Sequence, residues 1–573
     1  MFYLPESKKR YYRYIGLLAV VVLGVVSILG TGGGGDSAPP PPTGPSVVVF
    51  PAQSSDTALV TTEVLARFSE TMDPLTIDNN SFLLLDSVSN PITGSIDYYT
   101  QYDGHDNVAV FIPTSDLDIG EEYFATLTTD ITSTSGIPLA RDYNWSFNIS
   151  PAIVPVSTDE TGAVGTNYDG ASDSAVDATG EYIVFVSKEI LAGQSTNSKA
   201  QIYRKNTITG KIDIVSLSDS GQLANADCSS PRINDTGRFV VFASYANNLD
   251  LSFTDQSKSH IYLKDMKSGI TDTINLLDVN KDDSTKPANG SSSMPDISSI
   301  PDTGSGKYVV FQSNAPDLHA NDTDTINDIF LINIASRTVE LVSVDSAEIK
   351  GNGASTTPRV SENGNLVVFE SIADNLATSD PNTTADIFLR NVSAGTTSHI
   401  SISSTGGAAN GASNNADISA DGDFVVFQSD ASNMLPAGID SNGATDIFLR
   451  DIGAPSTIRM SVDSAGSQVT GASSLPSISG DGQYVAFESL STQLVTADTN
   501  GVTDVFARDK DAASTITRLS VNNLGVQGNN PSSNAAISAD GRYVSFTTQW
   551  AFDNVIDKNG VNDIYRAYND SLP

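Results

Sequence analysis

The chain has 573 residues, of which 68 are acidic and 31 basic, giving a formal net charge of −37. This surplus of negative charge argues against nucleic acid binding, which needs a basic surface, and against adsorption of the main body to anionic lipid. The single cysteine, Cys228, cannot form an internal disulfide, and we expect it to be a small buried residue rather than a nucleophile.

Residues 1–30 form a predicted signal peptide or membrane anchor. Basic residues between Lys8 and Arg13 precede an apolar stretch from Ile15 to Leu29. That stretch is shorter than the roughly 20 residues of a membrane span and suits the apolar region of a signal peptide. No cleavage site is obvious, so an uncleaved anchor stays open. The basic flank predicts export of the rest of the chain, to the periplasm, the cell surface or the medium, with membrane attachment only through this segment.

Residues 31–46 (TGGGGDSAPPPPTGPS) predict a flexible to extended linker, rich in glycine and proline. The following residues, 47–150, contain short alternating strands such as Val64 to Phe68 and Phe124 to Leu127. Short strands separated by turn residues over about 100 positions predict an Ig-like β-sandwich. We expect Trp145 to lie in its core, because an aromatic residue on an alternating strand usually packs there.

Two motifs in this segment carry a family resemblance. The run FSETMDP begins at Phe68 and the run DYNWSF begins at Asp142. Both resemble the bacterial Ig-like domain of the SbsA type, known from surface-layer proteins. The resemblance implies an extracytoplasmic spacer or interaction module rather than an enzyme.

Residues 151–573 contain a sevenfold repeat. In each unit a glycine is followed five residues later by a phenylalanine that ends an apolar run, and the units are 57 to 69 residues apart. A long period filled with strands and turns indicates a radial or stacked array. The pairs are Gly180 and Phe185, Gly237 and Phe242, Gly306 and Phe311, Gly364 and Phe369, Gly422 and Phe427, Gly482 and Phe487, and Gly541 and Phe546.

The fifth unit shows four predicted strands. A first strand precedes the Asp421-Gly422 turn, Phe424 to Phe427 form a buried second strand, and Asp446 to Asp451 form a third. Residues 458–462 alternate between apolar and polar, which predicts a half-exposed fourth strand. Four antiparallel strands repeated seven times predict an all-β chain with a seven-bladed β-propeller after the Ig-like domain.

The ends of the array predict ring closure. The seventh unit ends after its third strand, while residues 153–158 (IVPVST) look like a fourth strand without a first, second or third before it. We therefore expect residues 153–158 to complete the last blade, which removes an open sheet edge.

The repeat also carries a family resemblance. Turns such as Ser419-Ala-Asp-Gly422 and Ser538-Ala-Asp-Gly541, followed by an apolar strand and a third strand containing an Ile-Phe or Ile-Tyr pair, resemble the TolB-type, WD-repeat-like propeller unit. The resemblance covers residues 151–573 and implies a fold rather than a function, because such propellers serve many roles.

The loops between second and third strands hold the strongest chemical signal. Five units place acidic or amide side chains at three fixed positions, and the first two units lack the acidic residues at all three. The candidate metal ligands are Asp322, Asp324, Asp328, Asp380, Asn382, Asp386, Asp440, Asn442, Asp446, Asp498, Asn500, Asp504, Asp557, Asn559 and Asp563.

These loops support two interpretations. Ca²⁺ prefers six to eight oxygen ligands, and the sequence D-x-N-G-x-x-D offers three side chains and a carbonyl. The loops are similar to those of integrin-type propellers but two residues shorter. Alternatively, the same residues stabilise a turn, with Asn-Gly supplying left-handed geometry. Calcium is the one cofactor that the sequence suggests.

Function is less well determined than fold. The four histidines are dispersed, and no nucleophile elbow or zinc motif is present. We therefore expect a non-enzymatic, exported binding or scaffold protein whose propeller face or channel binds a protein, peptide or glycan of the cell envelope. A carboxylate-dependent glycan-active enzyme and a surface-layer or matrix component are the alternatives.

Overall fold

The computed structural model describes residues 44–569 except 52–54, 59–62, 103–104, 116, 119, 150–152, 165–169, 194–197, 251–254, 267–272, 299–307, 379, 381–383, 437–438, 512–514, 524 and 553–558. The predicted signal or anchor segment, residues 1–30, lies outside this part. Within it, no helix is long and apolar enough to span a membrane. Apart from a 3-10 helix at Pro74–Thr76, the regular structure of the described residues is β, in two compact units that divide after Ala152.

The first unit is an Ig-like sandwich of two four-stranded sheets. One sheet has the order β1-β3-β6-β5 and the other β2-β8-β7-β4. Phe82 packs between Phe111 and Trp145, with ring centroids 5.8 and 6.1 Å apart, and Trp145 is buried as predicted. The strands are β1 Val47–Phe50, β2 Ser55–Ala58, β3 Val64–Phe68, β4 Phe82–Leu85, β5 Gly94–Tyr102, β6 His105–Pro113, β7 Glu122–Leu127 and β8 Tyr143–Ile149.

The second unit begins with β9 (Ile153–Pro155) and contains seven four-stranded antiparallel sheets, here called blades one to seven. Blades one to three are β10 Ala171–Val176, β11 Tyr182–Ser187, β12 Gln201–Asn206 and β13 Ile212–Ile214; β14 Cys228–Ile233, β15 Phe239–Ser244, β16 His260–Asp265 and β17 Thr273–Leu276; then, after a separate hairpin of β18 Val279–Asn280 and β19 Asp283–Pro287, β20 Ser292–Ile297, β21 Tyr308–Ser313, β22 Asp328–Asn333 and β23 Val339–Leu341.

Blades four to seven continue in the same strand order. They are β24 Ser355–Val360, β25 Leu366–Ser371, β26 Asp386–Asn391 and β27 Thr396–His399; β28 Ser413–Ile418, β29 Phe424–Ser429, β30 Asp446–Asp451 and β31 Ser456–Arg459; β32 Ser473–Ile478, β33 Tyr484–Ser489, β34 Asp504–Asp509 and β35 Ile516–Arg518; and β36 Ser532–Ile537, β37 Tyr543–Thr548 and β38 Asp563–Tyr568 with β9. The fourth strand of blade five ends at Arg459, so the alternating residues after it continue beyond the sheet.

The two sequence markers of the repeat meet in the structure. The phenylalanine of each second strand lies directly opposite the aromatic residue of the third strand, for example Phe427 opposite Phe448. Their ring centroids are 6.1 Å apart in blade five, and the same pair recurs in the other six blades. The marker residues therefore form the hydrophobic centre of each blade.

The repeated glycine links neighbouring blades. Gly482 has a φ of 71°, and a Cβ there would lie 2.4 Å from the ring of Phe424 in the preceding blade. Gly180 of blade one meets Tyr543 of blade seven in the same way. Only glycine fits both the turn and this close approach.

Ring closure follows the predicted pairing. The short strand β9 pairs antiparallel with β38, with Val154 opposite Arg566. The first strands of consecutive blades lie side by side, and β10 also lies against β36. Blade seven takes its fourth strand, β9, from the start of the unit, so each of the seven blades has four strands.

Candidate functional site

Each acidic residue at the start of a third strand is held by a serine beyond the fourth strand. In blade five, Ser461 Oγ donates to Asp446 Oδ1 at 2.6 Å and accepts the backbone N–H of Ile447 at 3.1 Å. We call this arrangement the serine lock. It recurs as Ser216 with Gln201, Ser343 with Asp328, Ser401 with Asp386, Ser520 with Asp504 and Ser157 with Asp563.

Blade two reverses the lock. Here His260 starts the third strand and Asp278 stands at the serine position. Asp278 Oδ2 lies 2.9 Å from His260 Nδ1, and Asp278 Oδ1 accepts the N–H of Ile261 at 2.8 Å. Both side chains are buried. His260 therefore packs and pairs at the entry of its strand.

In blade three the predicted ligands converge, but around a lysine. One oxygen each from Asp322, Asp324 and Asp328 lies within 4.8 Å of the others. Lys350 Nζ stands 3.4, 2.7 and 2.9 Å from these three carboxylates, respectively. Burial raises the pKa of Asp328 to about 6, although hydrogen bonds from Lys350 and Ser343 oppose the shift. Burial lowers the pKa of Lys350, but Asp324 and Asp328 outweigh it and raise that pKa overall.

In blade five an arginine supplies the positive charge. Arg459 lies 3.5 Å from Asp440 and 3.3 Å from Asp446. Gln468 Nε2 donates to the same two residues at 2.8 and 3.2 Å. The predicted ligand Asn442 donates its amide to the Val469 carbonyl at 2.9 Å.

Blade six repeats this arrangement. Arg518 lies 3.3 Å from Asp498 and 3.7 Å from Asp504. Asn500 Nδ2 donates to Asp504 Oδ2 at 2.8 Å. Arg518 also donates to Gln527 at 2.7 Å. Burial raises the pKa of both Asp498 and Asp504.

Blades four and seven depart from this pattern. In blade four, His399 Nε2 lies 3.2 Å from Asp386 Oδ1. Asp380, the first predicted ligand of this loop, is buried. In blade seven, Asn559 Nδ2 donates to Asp563 Oδ2 at 2.9 Å. The predicted ligands Asn382 and Asp557 lie outside the described residues.

The basic side chain comes from one of two positions relative to the lock serine. His399, Arg459 and Arg518 lie two residues before it, whereas Lys350 lies seven residues after it. Where the earlier position is basic, the later one is neutral. Blade three has the reverse, with Leu341 at the earlier position. Blade seven has Pro155 and Val164 and so carries a basic residue at neither position.

This geometry constrains the calcium prediction. In blades three, five and six a lysine or arginine stands among the carboxylates, so a divalent ion would have to displace it or share its ligands. Calcium needs six to eight oxygens, and the amide oxygens of Asn442 and Asn500 already accept the backbone N–H groups of Ala444 and Val502. The residues therefore do not fit a calcium site while the basic side chain is in place. Calcium binding stays a prediction, and the turn-stabilising interpretation accounts for the hydrogen bonds.

A second candidate site lies at the inner ends of the blades. The first strands surround a cavity of about 260 Å³. Each of these strands contains a bulge, and the residue at its third position has a positive φ although none is glycine. These residues are Asp173, Ser230, Met294, Thr357, Asn415, Leu475 and Asn534. Bulges of this kind redirect side chains and occur next to functional sites.

Side chains of the preceding blade support four of these bulges. Gln312 accepts the N–H of Thr357 at 2.9 Å, and Gln428 accepts that of Leu475 at 2.9 Å. Glu370 does the same for Asn415, and Glu488 for Asn534. Burial raises the pKa of Glu488 to about 7, despite these hydrogen bonds.

The fifth position of each first strand lines the cavity unevenly. Blades two to five contribute Arg232, Asp296, Arg359 and Asp417, in alternating charge. Blades six, seven and one contribute small residues, namely Ser477, Ala536 and Ala175. At this fifth position, one side of the cavity is therefore charged and the other carries small neutral groups.

The cavity charges are only partly paired with each other. Arg232 Nη1 donates to the Pro231 carbonyl at 2.9 Å, and burial lowers the pKa of Arg232. Asp296 accepts the N–H of Val360 at 3.0 Å, and burial raises its pKa. Arg359 Nε lies 3.9 Å from Asp417 Oδ1, which is too long for a hydrogen bond.

An arc of backbone hydrogen bonds bounds the cavity where the first strands turn into the second. Glu362 N donates to Ala420 O, Ala420 N to Gly480 O, and Gly480 N to Ala539 O, at 2.8 to 2.9 Å. The arc continues from blade seven to blade one, where Asp540 N donates to Ala178 O at 2.9 Å.

Sequence reasoning missed the basic partners and the cavity. The serines stand 15 or 16 residues after the third-strand residue in five blades, so their spacing was readable. The basic residues were not readable because they alternate between two positions. The buried thiol of Cys228 agrees with its predicted role: its Sγ lies 3.3 Å from Ser244 Oγ, and burial raises its pKa to about 12.

Comparison with known protein families supports the fold class of the first unit. A family model described as a bacterial Ig-like domain matches residues 41–149. This confirms the Ig-like class of the first unit, while its SbsA type stays a prediction. No curated protein sequence matches the chain.

Several solved structures are similar to the chain at low sequence identity. Putative TolB from Agrobacterium tumefaciens is 16% identical, with a TM-score of 0.32, over 54% of this chain and 86% of that one. The WD40 repeats of RRP9 are 9% identical, with a TM-score of 0.36, over 72% and 98% of the two chains. The N-terminal part of the bacterial S-layer protein SbsC is 16% identical, with a TM-score of 0.17, over 30% and 42%.

Proposed function

We propose that this protein is an exported cell-envelope or extracellular binding protein whose propeller holds a ligand in the central cavity. The observation that carries the proposal is the cavity itself. It has a volume of about 260 Å³, four charged side chains on one side and small residues on the other. Ligand sites are typically concave and contain a few convergent polar groups.

The proposal does not include catalysis. The charged groups at the fifth strand position are two Arg–Asp neighbours on adjacent strands, and each of these aspartates already accepts a backbone N–H of the next blade, as Asp417 does from Ile478 at 3.0 Å. The Ig-like unit supports an extracytoplasmic setting, since the matching family is bacterial and Ig-like domains commonly act as spacers or interaction modules. The basic N-terminal flank supports export.

Two measurements test the proposal. The first is fractionation of cells that produce the tagged full chain, followed by protease treatment of intact cells and spheroplasts. The expected result is protein outside the cytoplasm, and purely cytoplasmic protein contradicts export.

The second measurement is a thermal-shift screen of the full chain with amino acids, dipeptides, dicarboxylates, monosaccharides and inorganic anions. At least one class should raise Tm, because a ligand that binds the folded state stabilises it. Ala536→Leu, which narrows the cavity, should abolish the shift, and Ala394→Leu on an exposed turn should not. If no compound class raises Tm, a surface-layer or matrix role is favoured. If a glycan is hydrolysed, the enzyme alternative is favoured.

A further inference from the structure

The two cavity arginines retain hydrogen-bonding capacity. A guanidinium has five N–H donors. Among the residues that the structure describes, Arg232 donates only to Pro231 O, and Arg359 only to Pro358 O at 3.0 Å. Both side chains line the cavity. Guanidinium donors that face a cavity without a hydrogen bond there can bind the acceptor oxygens of a ligand.

The rest of the lining limits what kind of acceptor can bind. Besides Asp296 and Asp417, the cavity is lined by Asp173, Asp235 and Glu362. Carboxylates outnumber the two arginines, so a simple anion meets net repulsion. A ligand that carries a carboxylate therefore has to bring a positive charge of its own.

Size and shape limit the ligand further. A volume of about 260 Å³ lies just below the usual range of small-molecule sites, roughly 300–1,000 Å³. The free space adjoins Ser477, Ala536 and Ala175, which are small. The body of a small molecule fits there while its charged groups face the opposite wall.

We propose that the cavity binds a small zwitterion, a free amino acid or a short peptide with free termini, through its carboxylate on Arg232 and Arg359 and its ammonium on Asp417. This inference rests on the proposed binding function. Asp417 is suited to the ammonium because it lies at the end of the charged arc, next to the small residues. Its Oδ1 lies 3.9 Å from Arg359 Nε and accepts the N–H of Ile418 at 3.0 Å, and a carboxylate oxygen can accept a second hydrogen bond.

Isothermal titration of the full chain tests the inference. The probes are glycine, glycylglycine, N-acetylglycylglycine, glycylglycinamide, succinate and inorganic phosphate. Glycine or glycylglycine should bind, and which of the two binds more tightly distinguishes a free amino acid from a peptide end. Blocking either terminus of glycylglycine should weaken binding about tenfold or more, because a charge-assisted hydrogen bond is lost. Succinate and phosphate should bind more weakly than the zwitterions.

Variants separate the two halves of the site. Arg359→Gln should weaken zwitterion binding about tenfold or more. Asp417→Asn keeps an acceptor for Ile478 N–H but removes the charge. It should weaken glycylglycine and strengthen succinate, a reversal that misfolding does not produce. Ala394→Leu should change neither.

Two results overturn the inference. One is the absence of binding by every zwitterion, and the other is equal binding of free and blocked dipeptides. If the thermal-shift screen meanwhile finds a sugar or another class that Ala536→Leu excludes, the proposed binding function stands and only the ligand class is wrong.

Discussion

Blades three and five carry the same acidic loop and the same serine lock, yet they take their positive charge from opposite sides of the serine. Lys350 follows Ser343 by seven residues, whereas Arg459 precedes Ser461 by two. Blade one has neither the acids nor a basic partner, and its lock is the neutral pair of Gln201 and Ser216. In these three blades the acidic loop occurs together with a basic partner and the neutral lock occurs without one, whereas blade seven has Asp563 with no basic residue at either position.

The physical reason is the cost of buried charge. Asp322 and Asp328 are fully buried, and an unpaired carboxylate in such a place is strongly unfavourable. A basic side chain at either position removes that cost. A neutral lock contains no buried carboxylate and so avoids this cost. In blade two the buried carboxylate of Asp278 is paired with His260.

Removing the lysine should have the largest effect. Lys350→Met leaves three carboxylates together without a counter-charge. We expect the free energy of unfolding to fall by about 3 kcal/mol, at the lower end for a broken buried ion pair. Urea denaturation at neutral pH measures this. Millimolar calcium should restore part of the loss, because the variant exposes converging oxygens to a divalent ion.

Lys286→Met is the matched control for this variant. Lys286 is largely exposed and pairs with Asp283 on the surface, so its removal should leave the free energy of unfolding unchanged. If both variants lose the same stability, charge balance in the loop of blade three is unimportant and the comparison fails.

The reversed lock of blade two should give the next largest effect. Asp278→Ala removes the acceptor for both His260 and the Ile261 N–H, at a cost of about 2 kcal/mol. The double variant His260→Gln with Asp278→Ser copies the neutral lock of blade one. It should recover much of the loss in thermal or urea unfolding. A double variant as unstable as Asp278→Ala would show that the lock is not transferable between blades.

A third prediction concerns the side chains that support the bulges. Gln428 and Glu488 both accept a backbone N–H of the next blade, but only Glu488 titrates. The pKa of Glu488 is about 7 in the folded protein, against an ordinary value of 4.5. Between these values the folded protein binds a proton that the unfolded chain does not. The free energy of unfolding should therefore rise as pH falls from 8 to 5, by about 1 to 3 kcal/mol.

Glu488→Gln should flatten this part of the pH profile while keeping the hydrogen bond. Gln428→Glu should add a similar pH dependence to blade five. Glu370 contributes in the same direction, since burial raises its pKa too. An unchanged slope in Glu488→Gln would assign the pH dependence to other groups, such as Asp328.

Much of the fold could be predicted from the sequence because the same strand pattern occurs seven times. The Gly–Phe spacing marked every blade, and the incomplete ends predicted the pairing of β9 with β38 that the structure shows. The site was less readable. The acidic residues occupy fixed positions in each loop, but the basic residues that pair with them do not occupy one fixed position in the repeat. Lys350 and Arg459 come close to the acids only when the chain returns from the fourth strand.

The cavity could not be read from the sequence for a different reason. Arg232 and Arg359 are single residues at a strand position that holds Asp, Ser or Ala in the other blades. Their chemistry depends on meeting Asp296 and Asp417 across neighbouring strands. Only the ring geometry brings these four side chains to one wall.

The smallest effect is expected for calcium on the unaltered protein. Where a basic side chain neutralises the acidic loop, as in blades three, five and six, the ion gains little. Tm should be the same in millimolar calcium and in chelator, with Lys350→Met as the responsive control.

If calcium does raise the Tm of the unaltered protein, two further variants locate the loop that binds the ion. Asp563→Asn alters blade seven, which has no basic residue at either position, while Asp446→Asn alters blade five, where Arg459 is present. A calcium response that is lost only in Asp563→Asn keeps the rule and confines the ion to the loop of blade seven. A response lost in Asp446→Asn means that the ion displaces Arg459, and the charge-balance rule is then wrong.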